Sequence, residues 1–137
     1  MPFRIVTLVV LGFLATSVGC SQNSGPRFYP LTGKVTFNGE PVSTATLVLR
    51  DPAGQEKTCL AKVINGEISG ESSPGEKIIE VTATRIAEGK TVPSADGIGK
   101  EQAIEQYIPE KYNVKSELKA TISDKQPNQL MLDLTGP

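Results

Sequence analysis

Residues 31–51, LTGKVTFNGEPVSTATLVLRD, constrain the fold more than any other stretch of the chain. Leu31, Gly33, Val35 and Phe37 fall on one face of an extended segment, because side chains alternate along a strand. Ala45, Leu47 and Leu49 do the same in a second segment. Between them, Asn38-Gly39 tolerates positive φ and Pro41 ends the reversal. The spacing predicts a β-hairpin, two paired strands on which later strands can pack.

The same alternation continues downstream. Residues 58–63 form a strand pattern, Asn65-Gly66 marks a turn into residues 67–69, and residues 72–76 (SSPGE) form another turn. Over residues 77–85, Ile79, Val81 and Ala83 share one face and Ile78, Glu80 and Thr82 the other. Residues 88–100 read as a long polar connection, of a length often used for function. Ala103, Ile104, Tyr107 and Ile108 have a spacing that suits a short helix over about residues 100–107. That helix ends before Pro109, docks its apolar stripe on the sheets, and lets Tyr112 pack back. Leu118, Ala120 and Ile122 alternate in one strand, and Leu130, Leu132 and Leu134 in the last. With 13 Gly, 10 Pro and few aromatics, the composition suits strands and turns. The expectation is an all-β, antiparallel seven-stranded sandwich with one short helix. Parallel βαβ units would need regular helices between strands, which are lacking.

The N-terminus reads as a processing segment. Arg4 precedes an apolar run, IVTLVVLGFLA, and then Thr16, Ser17, Val18 and Gly19 before Cys20. A positive start, an apolar stretch of this length and small residues before the cut describe a signal peptide over residues 1–19. The run falls short of the roughly 20 apolar residues of a membrane span. A buried helix of the domain is the competing reading, but polar positions at helical spacing are missing. Residues 20–30 are polar with Gly25, Pro26 and Pro30, and read as a tether to a domain over residues 31–137.

Charge and residue types narrow the chemistry. The chain has 14 basic and 15 acidic residues, a balance that does not suggest a nucleic-acid partner. It has no histidine, so neither a Ser-His-Asp nor a Cys-His site can be built. Gly70-Glu71-Ser72-Ser73-Pro74-Gly75 misses the nucleophile-elbow pattern at Pro74 and reads as a turn. Asp96-Gly97-Ile98-Gly99-Lys100-Glu101 lacks the spaced oxygens of a calcium loop and the frame of a phosphate loop. No catalytic residue, metal ligand or cofactor is expected. Cys59 reads as a small buried hydrophobe, with a Cys20–Cys59 disulfide as the alternative if Cys20 is unmodified.

Two resemblances bear on function. Ser17-Val18-Gly19-Cys20 resembles the lipobox of bacterial lipoproteins, with Ser17 standing where Leu is usual. That resemblance implies lipidation of Cys20 and attachment to a cell membrane or outer membrane, outside the cytoplasm. Gly33-Lys34-Val35-Thr36, Gly39-Glu40-Pro41-Val42, Ala45-Thr46-Leu47-Val48-Leu49, Asn65-Gly66-Glu67-Ile68 and Pro74-Gly75-Glu76-Lys77-Ile78-Ile79-Glu80-Val81 follow in an order similar to the carboxypeptidase regulatory-like, transthyretin-type sandwich. Ile68 and Ile78 or Ile79 stand at that family's aromatic positions. Tyr107-Ile108-Pro109-Glu110-Lys111-Tyr112-Asn113, followed by Leu118, resembles the C-terminal half of small planctomycete-type lipoproteins of this same group. The resemblance implies a non-catalytic module of the cell envelope. Its contacts with a protein or envelope-polymer partner are expected at a strand edge or in the 88–100 connection, at Glu88, Lys90, Asp96 and Lys100. The alternatives are a carbohydrate-binding module, disfavoured by the absence of Trp, and an extracytoplasmic enzyme.

Overall fold

The computed structural model describes residues 25–125 and 127–137. The expected signal peptide and Cys20 lie outside the described residues. Ten strands follow in order: β1 (Tyr29–Phe37), β2 (Glu40–Pro41), β3 (Thr44–Arg50), β4 (Cys59–Ile64), β5 (Glu67–Ser72), β6 (Gly75–Thr82), β7 (Thr84–Pro93), β8 (Lys100–Gln106), β9 (Lys119–Ile122) and β10 (Asn128–Leu134). A 3₁₀ turn, Glu110–Tyr112, precedes β9. β1 begins at Tyr29, two residues before the expected start of the domain, because Tyr29 and Pro30 pair with Ser72 and Glu71.

Seven strands make one sheet in the order β10-β1-β5-β4-β3-β6-β9, with β2 added beside β1. β7 and β8 form a separate two-stranded ribbon. The large sheet curls into a half-barrel. Its outermost strands, β9 and β10, are consecutive in the chain and joined only by residues 123–127. Alternation supplies the interior: Leu31 and Val35, Leu47 and Leu49, Ala61 and Val63, Ile79 and Val81, Ile122, Leu130 and Leu134 form one buried cluster. Cys59 is buried beside them as a free thiol, as expected of a small hydrophobe.

The hairpin expected over residues 31–51 is corrected. Its turn forms, with Asn38 at φ 52° and Gly39 at φ 85°, the positive pair that a tight two-residue hairpin needs. The return strand, however, is only β2, and β3 pairs with β4 and β6 instead of β1. The cause is the second Asn-Gly turn. Gly66 accepts from the Val35 N–H and donates to the Val42 carbonyl, while Asn65 donates to the Ser43 carbonyl. That turn takes part of the bonding the two segments would have exchanged, leaving the Val42 N–H to the Val35 carbonyl at 3.2 Å as a direct bond between them.

The antiparallel expectation holds for every pair in the large sheet but one. β1 and β10 run parallel, from Leu31 opposite Asn128 to Phe37 opposite Leu134. A parallel pair needs a long connection, and here nearly the whole domain lies between the two strands. Gly33 makes the approach possible. Its φ is +146°, and a Cβ there would lie 1.8 Å from the Leu130 carbonyl oxygen.

The expected helix over residues 100–107 is also corrected, because that stretch is β8. Ile104 is 72% exposed, so the proposed stripe does not dock as a unit; only Ile108 is fully buried. A helix of two turns is marginal in water, and pairing with β7 satisfies the same backbone groups. The long connection shrinks in the same way: residues 88–93 belong to β7, leaving only residues 94–99 as a turn.

Candidate functional site

The β7–β8 ribbon carries all four residues expected to meet a partner. Its base is fixed to the sheet by Gln106. The Gln106 side chain accepts from the Ala83 N–H at 2.9 Å and donates to the Val81 carbonyl at 3.5 Å, covering the edge of β6. Tyr107 donates its backbone N–H to the Ala83 carbonyl. Its ring meets Phe37 edge-on at 5.6 Å, and the Arg85 guanidinium lies over it at 5.3 Å.

Above the base the ribbon bulges. Residues 87–90 of β7 stand against Ala103 alone, between the pairs Ile86–Ile104 and Thr91–Gln102. Gly89 takes φ 72° in the bulge, and Ala87 turns inward and is buried. Glu105 ties the bulge down: Arg85 donates to it at 2.9 Å and Lys90 at 3.2 Å. The Arg85 hydrogen bond, then that of Lys90, holds the Glu105 carboxyl below the usual carboxylate range. Arg85, Ile86, Ala87, Glu88, Lys90 and Glu105 line a groove of about 450 Å³ here, with both signs of charge represented.

At the tip, the Asp96 carboxylate accepts the Ile98 N–H at 2.9 Å, which lowers its pKa from the ordinary value. Asp96 is thereby a turn-forming residue. Lys100 opens β8 opposite Pro93 and is exposed. Glu88 and Lys90 therefore belong to the bulge, Asp96 and Lys100 to the tip end. The residues missed from sequence are Ile86 and Ile104, a directly opposed pair exposed by 55% and 72%, together with Val92 and Ile98. Alternation of Lys100 to Gln106 as a strand, with Ile104 facing away from Ala103 and Glu105, was the signal available.

A second cluster lies across the domain. Lys77 shares the inward parity of Ile79 and Val81 and is buried. Its Nζ donates to Ser73 Oγ at 2.9 Å and to the Glu56 carboxylate. Ser73 in turn donates to Glu56 at 2.6 Å. Asp51 orders the loop that delivers Glu56, accepting backbone N–H groups from Gln55, Ala53 and Glu56. A serine beside a lysine suggests nucleophilic chemistry only when the amine has a lone pair to take the serine proton. Here the amine donates to both neighbours and the serine proton faces a carboxylate, so the cluster holds the segment around Ser73 in place. Among the described residues no three His, Cys, Asp or Glu side chains gather as a metal site.

No protein-family model, no curated protein and no solved structure matches the chain.

Proposed function

We propose that this chain is an exported, lipid-anchored module of a bacterial cell envelope that binds or scaffolds a partner and performs no catalysis. Cys20 carries the lipid, residues 21–28 form the tether, and the half-barrel is the transthyretin-like body of the module. The partner, a protein or envelope polymer, meets the β7–β8 ribbon. The observation that carries this reading is the opposed pair Ile86 and Ile104, left exposed on a ribbon whose base is firmly fixed by Gln106 and Tyr107. An isolated two-stranded ribbon is marginal in water, and a covering surface on its apolar side stabilises it. The leader pattern before Cys20 supports export and anchoring.

Mass spectrometry of the protein purified from membranes tests the anchor. Acyl mass on Cys20 as the N-terminal residue is expected, and Cys20→Ala should move the domain to the soluble fraction. An unmodified N-terminus at another residue overturns the reading.

A further inference from the structure

One pole of the domain carries a second apolar pair, unrelated to the ribbon. Phe28 is 45% exposed and Leu60 63% exposed, and both line one shallow, open groove with Lys57, Thr58 and Glu71. Leu60 belongs to β4, the central strand of the large sheet. The outer face of such a strand is ordinarily polar when it meets water. Beside Leu60 the β4 stripe continues outward through Lys62 to Ile64, itself 60% exposed. Val48 on β3 stands opposite Leu60 and is itself part-buried, while Thr46 and Ser69, which flank Lys62, are too short to cover the stripe.

Chain length bounds how far this pole can lie from Cys20. Phe28 precedes β1 by one residue and follows Cys20 by eight. Eight residues reach at most about 28 Å when fully extended. A chain held at Cys20 therefore keeps Phe28, and the groove that it lines, within about 28 Å of the anchor.

We propose that the Phe28–Leu60 groove is a bilayer-facing surface that seats against the headgroups of the membrane holding Cys20; this rests on the anchor reading above. Aromatic and aliphatic side chains at such a boundary bury their apolar bodies about 5–10 Å deep among headgroups and acyl chains. Arg27, Lys57 and Lys62 are exposed and supply cations for anionic lipids. Glu71 is the opposing carboxylate in the groove, while the Glu56 carboxylate is occupied by Lys77 and Ser73. Docking here also orients the domain, so that its position is set by two attachments and not by a swinging tether.

The chain has no tryptophan, so a single substitution gives a single reporter. The full-length protein, expressed with its own leader, is reconstituted into phosphatidylcholine–phosphatidylglycerol vesicles with brominated acyl chains. Phe28→Trp and Leu60→Trp should each lose emission at least about twofold relative to unbrominated vesicles, as seating at the acyl boundary requires. Ile98→Trp, at the ribbon tip, should not. Flotation of the same vesicles separates the two readings. Protein that floats with the vesicles while Phe28→Trp and Leu60→Trp stay bright overturns the groove and leaves the anchor standing. Equal quenching at all three positions overturns the groove as a specific face. Protein that does not float overturns both.

Discussion

Lys77 and Glu56, 21 residues apart in sequence, form an ion pair at the rim of the core. The Lys77 side chain is 2% exposed and that of Glu56 46%, so a buried cation is answered by a carboxylate that still touches water. Lys77 shares the inward parity of Ile79 and Val81, and its amine meets Ser73 and Glu56 beneath the 51–56 loop.

This pair makes stability depend on acid. The Lys77 hydrogen bond, then that of Ser73, holds the Glu56 carboxyl below its ordinary value of 4.5. The folded value lies below the unfolded one. The contribution is therefore complete above about pH 4.5 and is lost as pH falls through the folded value. Glu56→Gln should lower the Tm at neutral pH, with the gap to the parent closing as pH drops below about 4.5. A gap that does not change with pH would show that the pair has no such role.

The two partners should not be equivalent on mutation. Removing the Glu56 carboxylate leaves Lys77 as an unanswered buried charge, whereas removing the Lys77 amine leaves a half-exposed carboxylate that water still solvates. Lys77→Met is expected to hold or raise the Tm, and Glu56→Ala to lower it. Equal losses from both, measured by thermal unfolding, would contradict this account.

Gly33 is the position least able to accept a side chain. Gly33→Ala places a methyl inside the Leu130 carbonyl and should detach β10 or prevent folding. Gly89 also has positive φ, but its added Cβ meets nothing within 4 Å. Gly89→Ala should cost only its backbone strain, about 1 kcal/mol. Denaturant unfolding of the two variants measures the difference between a steric block and a conformational preference.

Leu47, wholly buried in the centre of β3, should cost about 2–5 kcal/mol on truncation to Ala. Ile104→Ala should stay within about 0.5 kcal/mol, because that side chain is already in water. A large loss at Ile104 would mean that the ribbon folds back over the sheet.

Ribbon contacts are tested by Ile86→Ser combined with Ile104→Ser. The pair should leave the Tm almost unchanged and abolish crosslinking of the envelope partner in intact cells. Retained crosslinking, with loss from Arg27→Glu and Leu60→Asp instead, would move the partner to the opposite pole.

Some of this architecture was legible residue by residue. Both Asn-Gly turns were visible, because only a few residue types accept positive φ and the constraint is local. The inward sides of β3 and of the final strand followed from alternation, and the burial of Cys59 from its residue type. Glu88, Lys90, Asp96 and Lys100, expected in one polar connection, lie on the β7–β8 ribbon and its turn. The exposed isoleucines between them were missed, because Ile104 beside Tyr107 and Ile108 also satisfies a helical spacing.

For the large sheet, though not for the β7–β8 ribbon, sequence by itself determined which residues extend, which turn and which side of most strands is apolar, since these depend on neighbours a few bonds away. Tertiary structure alone decided who pairs with whom. Val35 and Val42 lie close in the chain, yet their hydrogen bonds go in part to Gly66, from a distant turn. Leu31 finds its parallel partner in Asn128, near the far end. Lys77 had the inward parity of a core residue, but nothing local announced the loop carboxylate that answers its charge. Backbone groups bind any compatible edge, so pairing is settled by the packing of the whole chain around one interior.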